Sequence, residues 1–141
     1  MGATVIWKEG MSFTGTAPSG FSVDLGASPS VGGDNDGFRP MELMALGLAG
    51  CTAMDVISIL RKKRQQVTDF SVRVDTKSAD QHPHVWVEVA IEYIITGHEI
   101  DPAAIERAMQ LSAERYCPAQ NMINKAVDIE MSYRVIEAAS D

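Results

Sequence analysis

The chain has 141 residues and a formal net charge of −7, with 45% hydrophobic and 22% charged residues. These values are typical of a globular protein that is long enough to build its own core. The acidic balance argues against a nucleic-acid or anionic-membrane partner, because phosphate binding relies on Lys and Arg. The start of the chain lacks the layout of a signal peptide, and the apolar runs do not read as a membrane span, so we expect a cytoplasmic protein.

Short alternating segments occupy the first part of the chain. Residues 3–9 and 11–14 are predicted to form a hairpin around Gly10, and residues 20–25 a third strand. Residues 26–37 are rich in Gly, Ser, Asp and Pro, which predicts an exposed loop.

A long apolar segment follows and is predicted to be a helix over residues 40–60. Pro40 suits the first helical position, and the basic residues 61–64 suit the negative end of the helix dipole. The apolar residues lie nearly all round this helix, which is the pattern of a buried one. A two-layer domain of this size covers only one side of a helix. We therefore expect a second copy of the chain to cover the other side, in a homodimer.

The second half of the chain contains further alternating and amphipathic segments. Asp101 and Pro102 predict the start of an amphipathic helix that ends near Cys117, because Pro118 disfavours helical geometry in the residue before it. The other predicted elements are strands over residues 70–76, 85–95 and 129–135 and a short helix over residues 119–125. This order of elements indicates one α+β domain over residues 1–141.

The two cysteines are the first candidates for chemistry. Cys51 lies beside Gly50, with Gly47 one turn earlier, so a small molecule could approach its sulfur. Cys117 lies at the junction of two helices, where a thiol can meet the N–H groups of the following helix. Packing of an inert thiol is an equal alternative for each. Two thiols in one site would allow one to take an oxidant and the other to resolve the sulfenic acid.

A thiolate at Cys51 would need a cation from elsewhere, since Asp55 opposes it and the helix start is three turns away. Arg39 and Glu42 are the candidates, although a solvated loop cation and a first-turn carboxylate are the plainer interpretations. Glu42 and Cys51 are separated by roughly 14 Å along one helix and lie on opposite faces. We therefore expect any help from Arg39 or Glu42 to reach the Cys51 of a second copy.

We predict neither a metal nor a cofactor. His82 and His84 flank Pro83, but no third ligand is near them in the sequence. The sequence has no Gly-Xaa-Ser-Xaa-Gly motif of a hydrolase and no nucleotide-binding loop.

The helix sequence Pro-Met-Glu-Leu-Met-Ala-Leu-Gly-Leu-Ala-Gly-Cys-Thr-Ala-Met-Asp-Val and the later Tyr-Cys-Pro resemble the OsmC/Ohr family. These are the osmotically inducible and organic hydroperoxide resistance proteins. The Gly-Cys-Thr-Ala and Val-Thr-Asp-Phe phrases are most similar to the YhfA-like branch, and the resemblance covers nearly the whole chain. It implies a two-layer OsmC-like α+β fold with antiparallel sheets and a long buried central helix, in an intertwined homodimer.

The resemblance also implies a thiol peroxidase that reduces organic hydroperoxides, and hydrogen peroxide less well. Cys51 matches the peroxidatic cysteine and Cys117 the resolving one, and an external thiol or dithiol would reopen their disulfide. The family's arginine lies in the N-terminal strands and its glutamate directly follows the proline. Here Met41 follows the proline, and Arg39 and Glu42 are the hypothetical replacements. The alternative is a stress-related or ligand-binding protein of this fold with little or no peroxidase activity.

The homodimer is testable without knowledge of the activity. Because the helix over residues 40–60 needs cover on two sides, sedimentation at micromolar concentration should give twice the mass of the chain. A monomer under those conditions would contradict the prediction.

Overall fold

A three-stranded antiparallel sheet occupies the first of two units into which the computed structural model divides, Met1–Met44 and the residues from Ala45 onward. The structure describes residues 1–140. The strands are β1 (Thr4–Glu9), β2 (Ser12–Thr16) and β3 (Ser22–Leu25), in that order across the sheet. Gly10 adopts a positive φ of 52° in the predicted hairpin turn. The following loop contains a 3₁₀ turn at Pro29–Val31.

Helix α1 spans Pro40–Lys62, so it begins at the predicted residue and ends two residues after the predicted end at residue 60. The Glu42 carboxylate accepts a hydrogen bond of 2.7 Å from the Arg39 backbone N–H, which satisfies one of the free donors at the helix start. In the single chain, the buried residues of α1 recur at every fourth position: Leu48, Thr52, Val56 and Leu60. One stripe of an apolar helix is therefore covered by the chain itself, and the homodimer stays a prediction.

By length and composition, α1 is apolar enough to cross a membrane, with a mean hydropathy of 1.9 over its most apolar stretch, of which 22% is buried. The expectation that no run would qualify is wrong, because the basic residues stand at the very end of the helix. The core helix of a globular protein satisfies the same criterion, and α1 supplies Leu48, Val56 and Leu60 to the core.

The second unit contains a three-stranded mixed sheet. Strands β4 (Gln66–Ser78) and β5 (Trp86–His98) form a long antiparallel hairpin, and β6 (Ile129–Glu137) pairs with β5 in parallel. The expectation of antiparallel sheets is wrong for β6, because the helices after β5 form a crossover that returns the chain to the same end of the sheet. Strand β4 begins four residues before the predicted strand over residues 70–76, and its register shifts between Val67 and Asp69.

The crossover contains α2 (Pro102–Leu111), a π-helical turn (Ser112–Tyr116) and α3 (Pro118–Ile123). The Asp101 side chain accepts a hydrogen bond of 3.0 Å from the Ala103 N–H, which confirms the predicted cap. The predicted end near Cys117 is also confirmed, with a π-helical last turn.

The core of the second unit lies where α1 and α2 pack against β5. From Val89 to Gly97, every second residue of β5 is buried, and the side chains in that row are Val89, Ile91, Tyr93 and Ile95. Ile105 and Ala108 of α2 and Leu48, Val56 and Leu60 of α1 belong to the same core. The α+β class is thus confirmed, while the extent of a single domain over residues 1–141 stays a prediction. Tyr93 is the one polar side chain in this row of β5, and it needs a hydrogen-bond partner.

Candidate redox-active site

Cys51 and Thr52 are adjacent residues of α1 that differ in how deeply they are buried. Thr52 is completely buried, whereas Cys51 is half-buried. Apart from the adjoining residues and the backbone of the helix itself, no atom of the described residues lies within 4 Å of the position that a Cβ atom would occupy at Gly47 or Gly50. The approach to Cys51 along this helix is therefore open, as the sequence suggests.

Cys117 reaches the same region from the end of the π-helical turn. Its backbone N–H donates to the Ser112 carbonyl five residues earlier, at 2.8 Å. In an α-helix, residues five apart point about 140° away from each other. The wider π turn reduces that angle, and both Ser112 and Cys117 are completely buried.

The two thiols interact without being bonded to each other. The pKa of the Cys117 thiol is raised to about 11, mainly by burial, with smaller upward contributions from the nearby Cys51 side chain and the Asp55 carboxylate. The Gln120 backbone N–H, which donates to Cys117 Sγ at 3.3 Å, acts in the opposite direction and lowers the pKa. Cys117 is therefore a neutral thiol at physiological pH, close to a more accessible cysteine.

A buried polar network lies against the cysteines. Thr52 Oγ1 is 2.6 Å from the Tyr93 hydroxyl and 2.8 Å from Ser112 Oγ. The Gln120 side-chain amide donates to Thr52 Oγ1 at 3.0 Å and to the Tyr93 hydroxyl at 3.3 Å. Ser112 in turn donates to the Asp55 carboxylate at 2.9 Å. Thr52, Tyr93, Ser112 and Gln120 are all at most 2% exposed.

The hydrogens of this network have one consistent arrangement. Ser112 gives its only hydroxyl hydrogen to Asp55, so it must accept the hydrogen of Thr52. Thr52 then has none left for Tyr93, so the 2.6 Å contact requires the Tyr93 hydroxyl to donate to Thr52. The other acceptor near that hydroxyl, the Met131 sulfur, lies 3.9 Å away and is the weaker partner. The chain runs from Tyr93 through Thr52 and Ser112 to Asp55, and the Gln120 amide fills the second lone pair of Thr52.

Burial also raises the pKa of Tyr93, and its hydrogen bonds with Thr52 and Gln120 act against that rise. The nearby Cys117 and Asp55, whose charged forms are anions, raise it further. Tyr93 is therefore a protonated donor at neutral pH, as the arrangement of hydrogens requires.

Arg39 and Glu42, the other two predicted site residues, belong to the first unit, whereas both cysteines belong to the second. The Arg39 guanidinium donates to the Gly37 carbonyl at 3.0 Å and to Asn35 Oδ1 at 2.6 Å. The structure thus brings Cys51 and Cys117 together and gives Arg39 partners in its own loop.

The two histidines that flank Pro83 lie close to each other. The rings of His82 and His84 lie 4.1 Å apart, and His84 Nδ1 is 2.8 Å from the Ala79 carbonyl oxygen. No group of three or more His, Cys, Asp or Glu side chains suited to a metal ion occurs among residues 1–140.

Residues 33–132 match the family model of the OsmC-like proteins. The chain belongs to the OsmC family. It is 38% identical over 138 residues to Protein YhfA of Escherichia coli strain K12, covering 98% of this chain and 100% of that protein. It also matches the crystal structure of a hypothetical protein from Aquifex aeolicus VF5, with 26% identity, a TM-score of 0.86 and coverage of 98% and 97%.

A more distant OsmC-family structure is that of an organic hydroperoxide resistance protein from Legionella pneumophila. The TM-score is 0.68 at 19% identity, covering 94% of this chain and 95% of that one. At that identity the likeness shows a shared fold. Together with the YhfA match, it confirms the resemblance that the sequence suggests.

Sequence reasoning missed the polar network. Three members carry only a weak signal, because each is a polar residue in an otherwise apolar row: Thr52, Tyr93 and Ser112. Gln120 carries none. Their contacts join residues 27 to 68 positions apart in the chain, which helix or strand periodicity does not reveal.

The raised pKa of Cys117 leads to a direct test. Thiolate formation, followed by ultraviolet absorbance in Cys51→Ser, should have its midpoint well above the ordinary cysteine value near pH 8.5, because burial is the main cause of the shift. The midpoint should fall somewhat below 11, since the smaller contribution of Cys51 is gone. Subtracting the curve of the Cys51→Ser/Cys117→Ser double variant removes the tyrosines. An ordinary midpoint would contradict the assignment.

Proposed function

We propose that this protein is a thiol peroxidase that reduces organic hydroperoxides, and hydrogen peroxide less well, with Cys51 as the peroxidatic and Cys117 as the resolving cysteine. The observation that carries the proposal is the pairing of a half-buried Cys51 with a completely buried Cys117 in a member of the OsmC family. The name of the Legionella relative, an organic hydroperoxide resistance protein, suggests the substrate class.

The first step belongs to Cys51, because it is the more accessible sulfur. Its thiolate would attack the distal oxygen of the hydroperoxide and break the O–O bond. The alcohol leaves after taking up a proton, and Cys51 becomes a sulfenic acid. Oxidation of the sulfur by two electrons balances reduction of the peroxide.

The second step belongs to Cys117. Its sulfur would attack the sulfur of the Cys51 sulfenic acid, form the disulfide and release the hydroxyl group, which leaves as water with the thiol proton. A neutral Cys117 thiol fits this order, because it stays unreactive toward peroxide while Cys51 is reduced. An external thiol or dithiol would then reduce the disulfide.

This cycle needs no metal or cofactor, and its partners are a hydroperoxide, a thiol reductant and a second copy of the chain. It also needs a reducing compartment to restore the thiols, which is the reason for placing the protein in the cytoplasm. Arg39 is our candidate for the cation that favours the Cys51 thiolate, and Glu42 for its orienting partner, acting across a homodimer.

The alternative is a stress-related or ligand-binding protein of the OsmC fold that turns peroxide over slowly. One observation favours it. The Arg39 guanidinium is already hydrogen-bonded to Gly37 and Asn35.

Reaction with cumene hydroperoxide distinguishes the two functions. Reduced protein should lose two thiols and form one intrachain disulfide between Cys51 and Cys117, identified by peptide mass analysis. Cys117→Ser should stop at the sulfenic acid, which a cyclic diketone traps, because no thiol resolves it. Cys51→Ser should keep its remaining thiol. Unchanged thiols in the wild type under excess hydroperoxide would refute the peroxidase.

The role of Arg39 needs its own variant. Arg39→Ala should slow the oxidation of Cys51 about tenfold or more, because a nearby cation increases the thiolate fraction. Arg61→Ala, at the far end of α1, is the matched control and should react like the wild type. Equal rates in all three proteins would remove Arg39 from the site and leave the cysteine assignment untouched.

A further inference from the structure

Gln120 joins the two cysteine-bearing parts of the second unit. Its backbone N–H donates to Cys117 Sγ at 3.3 Å, while its side-chain amide donates to Thr52 Oγ1 at 3.0 Å. Thr52 directly follows Cys51 in the rigid helix α1. One residue therefore connects the Cys117 sulfur to the residue next to Cys51.

The direction of the hydrogen bonds determines which end of the Gln120 side-chain amide faces Thr52 and Tyr93. Asp55 accepts from Ser112, Ser112 from Thr52, and Thr52 from Tyr93. No hydrogen in this chain points back at Gln120, so its amide meets two oxygen acceptors, on Thr52 and Tyr93. A carbonyl or carboxylate oxygen in the place of that NH₂ group would meet only lone pairs.

The same network fastens the π-helical turn that ends at Cys117. Ser112 opens the turn and contacts both Thr52 and Asp55 of α1. Ser112, which precedes Cys117 in the sequence, and Gln120, which follows it, are thus both held to α1 by buried hydrogen bonds. Such bonds strengthen one another in a low dielectric. Among residues 1–140, no buried side-chain N or O lacks a hydrogen-bond partner.

We propose that Gln120, anchored on Thr52 and Tyr93, is a positioning residue that holds Cys117 beside Cys51 for disulfide closure. This rests on the pairing of the two cysteines in the proposed function. Gln120 itself does not meet the peroxide. Its loss should leave the oxidation of Cys51 intact and slow the attack of Cys117 on the oxidised sulfur.

Diamide tests this step without a peroxide. The Cys51 thiolate adds to the N=N bond to form an S–N adduct. Cys117 then attacks the Cys51 sulfur, the disulfide forms, and the hydrazine leaves with the two thiol protons. Two thiols lose two electrons and the azo group gains them. Quenching with acid at set times and mass analysis give the rate of each step separately.

The variants are chosen as matched pairs. Thr52→Val removes the hydroxyl at nearly constant shape, and Gln120→Leu removes the amide. In both, adduct formation at Cys51 should proceed at the wild-type rate, while closure slows about tenfold to a hundredfold, as expected when reacting groups lose their alignment. Thr52→Ser keeps the hydroxyl and should close like the wild type. Ser58→Ala, an exposed change on α1, should have no effect.

Four results would overturn the inference: wild-type closure rates in Thr52→Val and Gln120→Leu, equal slowing in Thr52→Ser and Thr52→Val, equal slowing in Ser58→Ala, or no closure in the wild type. Should either destabilised variant fail to fold, the comparison of Thr52→Ser with Gln120→Glu provides the test. Gln120→Glu keeps the shape and should close slowly at a pH where the introduced side chain is ionised, because a carboxylate cannot donate to Thr52. Closure by diamide with no response to cumene hydroperoxide would end the peroxidase proposal alone.

Discussion

The structure of the site depends on a requirement that buried polar groups be paired. Thr52 lies on the one stripe of α1 that the chain itself buries, and Tyr93 lies in the buried row of β5. An unpaired group at either position would cost about 1–3 kcal/mol. The chain meets this requirement by bringing Ser112 and Gln120 to the same point from the crossover. Because Cys117 lies between those two residues in sequence, pairing the hydroxyls also places the thiol beside α1.

The π-helical turn is the backbone feature that makes this placement compatible with the amphipathic helix α2. A regular α-helix over residues 102–116 would turn Cys117 well away from the direction of Ser112. The turn closes through the 2.8 Å hydrogen bond from the Cys117 N–H to the Ser112 carbonyl, and Pro118 then begins α3. The same residue, Cys117, ends one helix and caps the next, so its sulfur meets the Gln120 N–H. The backbone geometry of this segment therefore determines the position of the Cys117 sulfur.

The sequence predicted the elements that depend on local rules. Pro40, Asp101 and Pro118 mark helix boundaries through their own backbone chemistry, and the alternation around Tyr93 marks β5. The parallel pairing of β6 was missed, because it depends on the path of a crossover over some thirty residues. The cysteines were found through their residue type and family motif. The network around them was not, since its contacts cross up to 68 positions and each member alone looks like an ordinary polar residue.

Helix α1 has one face that is buried by the rest of the chain and another that is exposed in the single chain. One face carries Thr52 and is fixed by contacts within the second unit, whereas Met54, 73% exposed in the single chain, lies away from it. Cys51 is intermediate between these two faces, because it is half-buried, whereas Cys117 is fully buried. In the proposed cycle, the face that carries Thr52 would hold the neutral Cys117 thiol close to Cys51 for disulfide closure. The side chains of the network are neutral or acidic, and none of them is a cation: Thr52, Tyr93, Ser112, Gln120 and Asp55. The proposed cycle would therefore draw the position of its thiol pair from the single chain, and the cation that favours the Cys51 thiolate from outside this network.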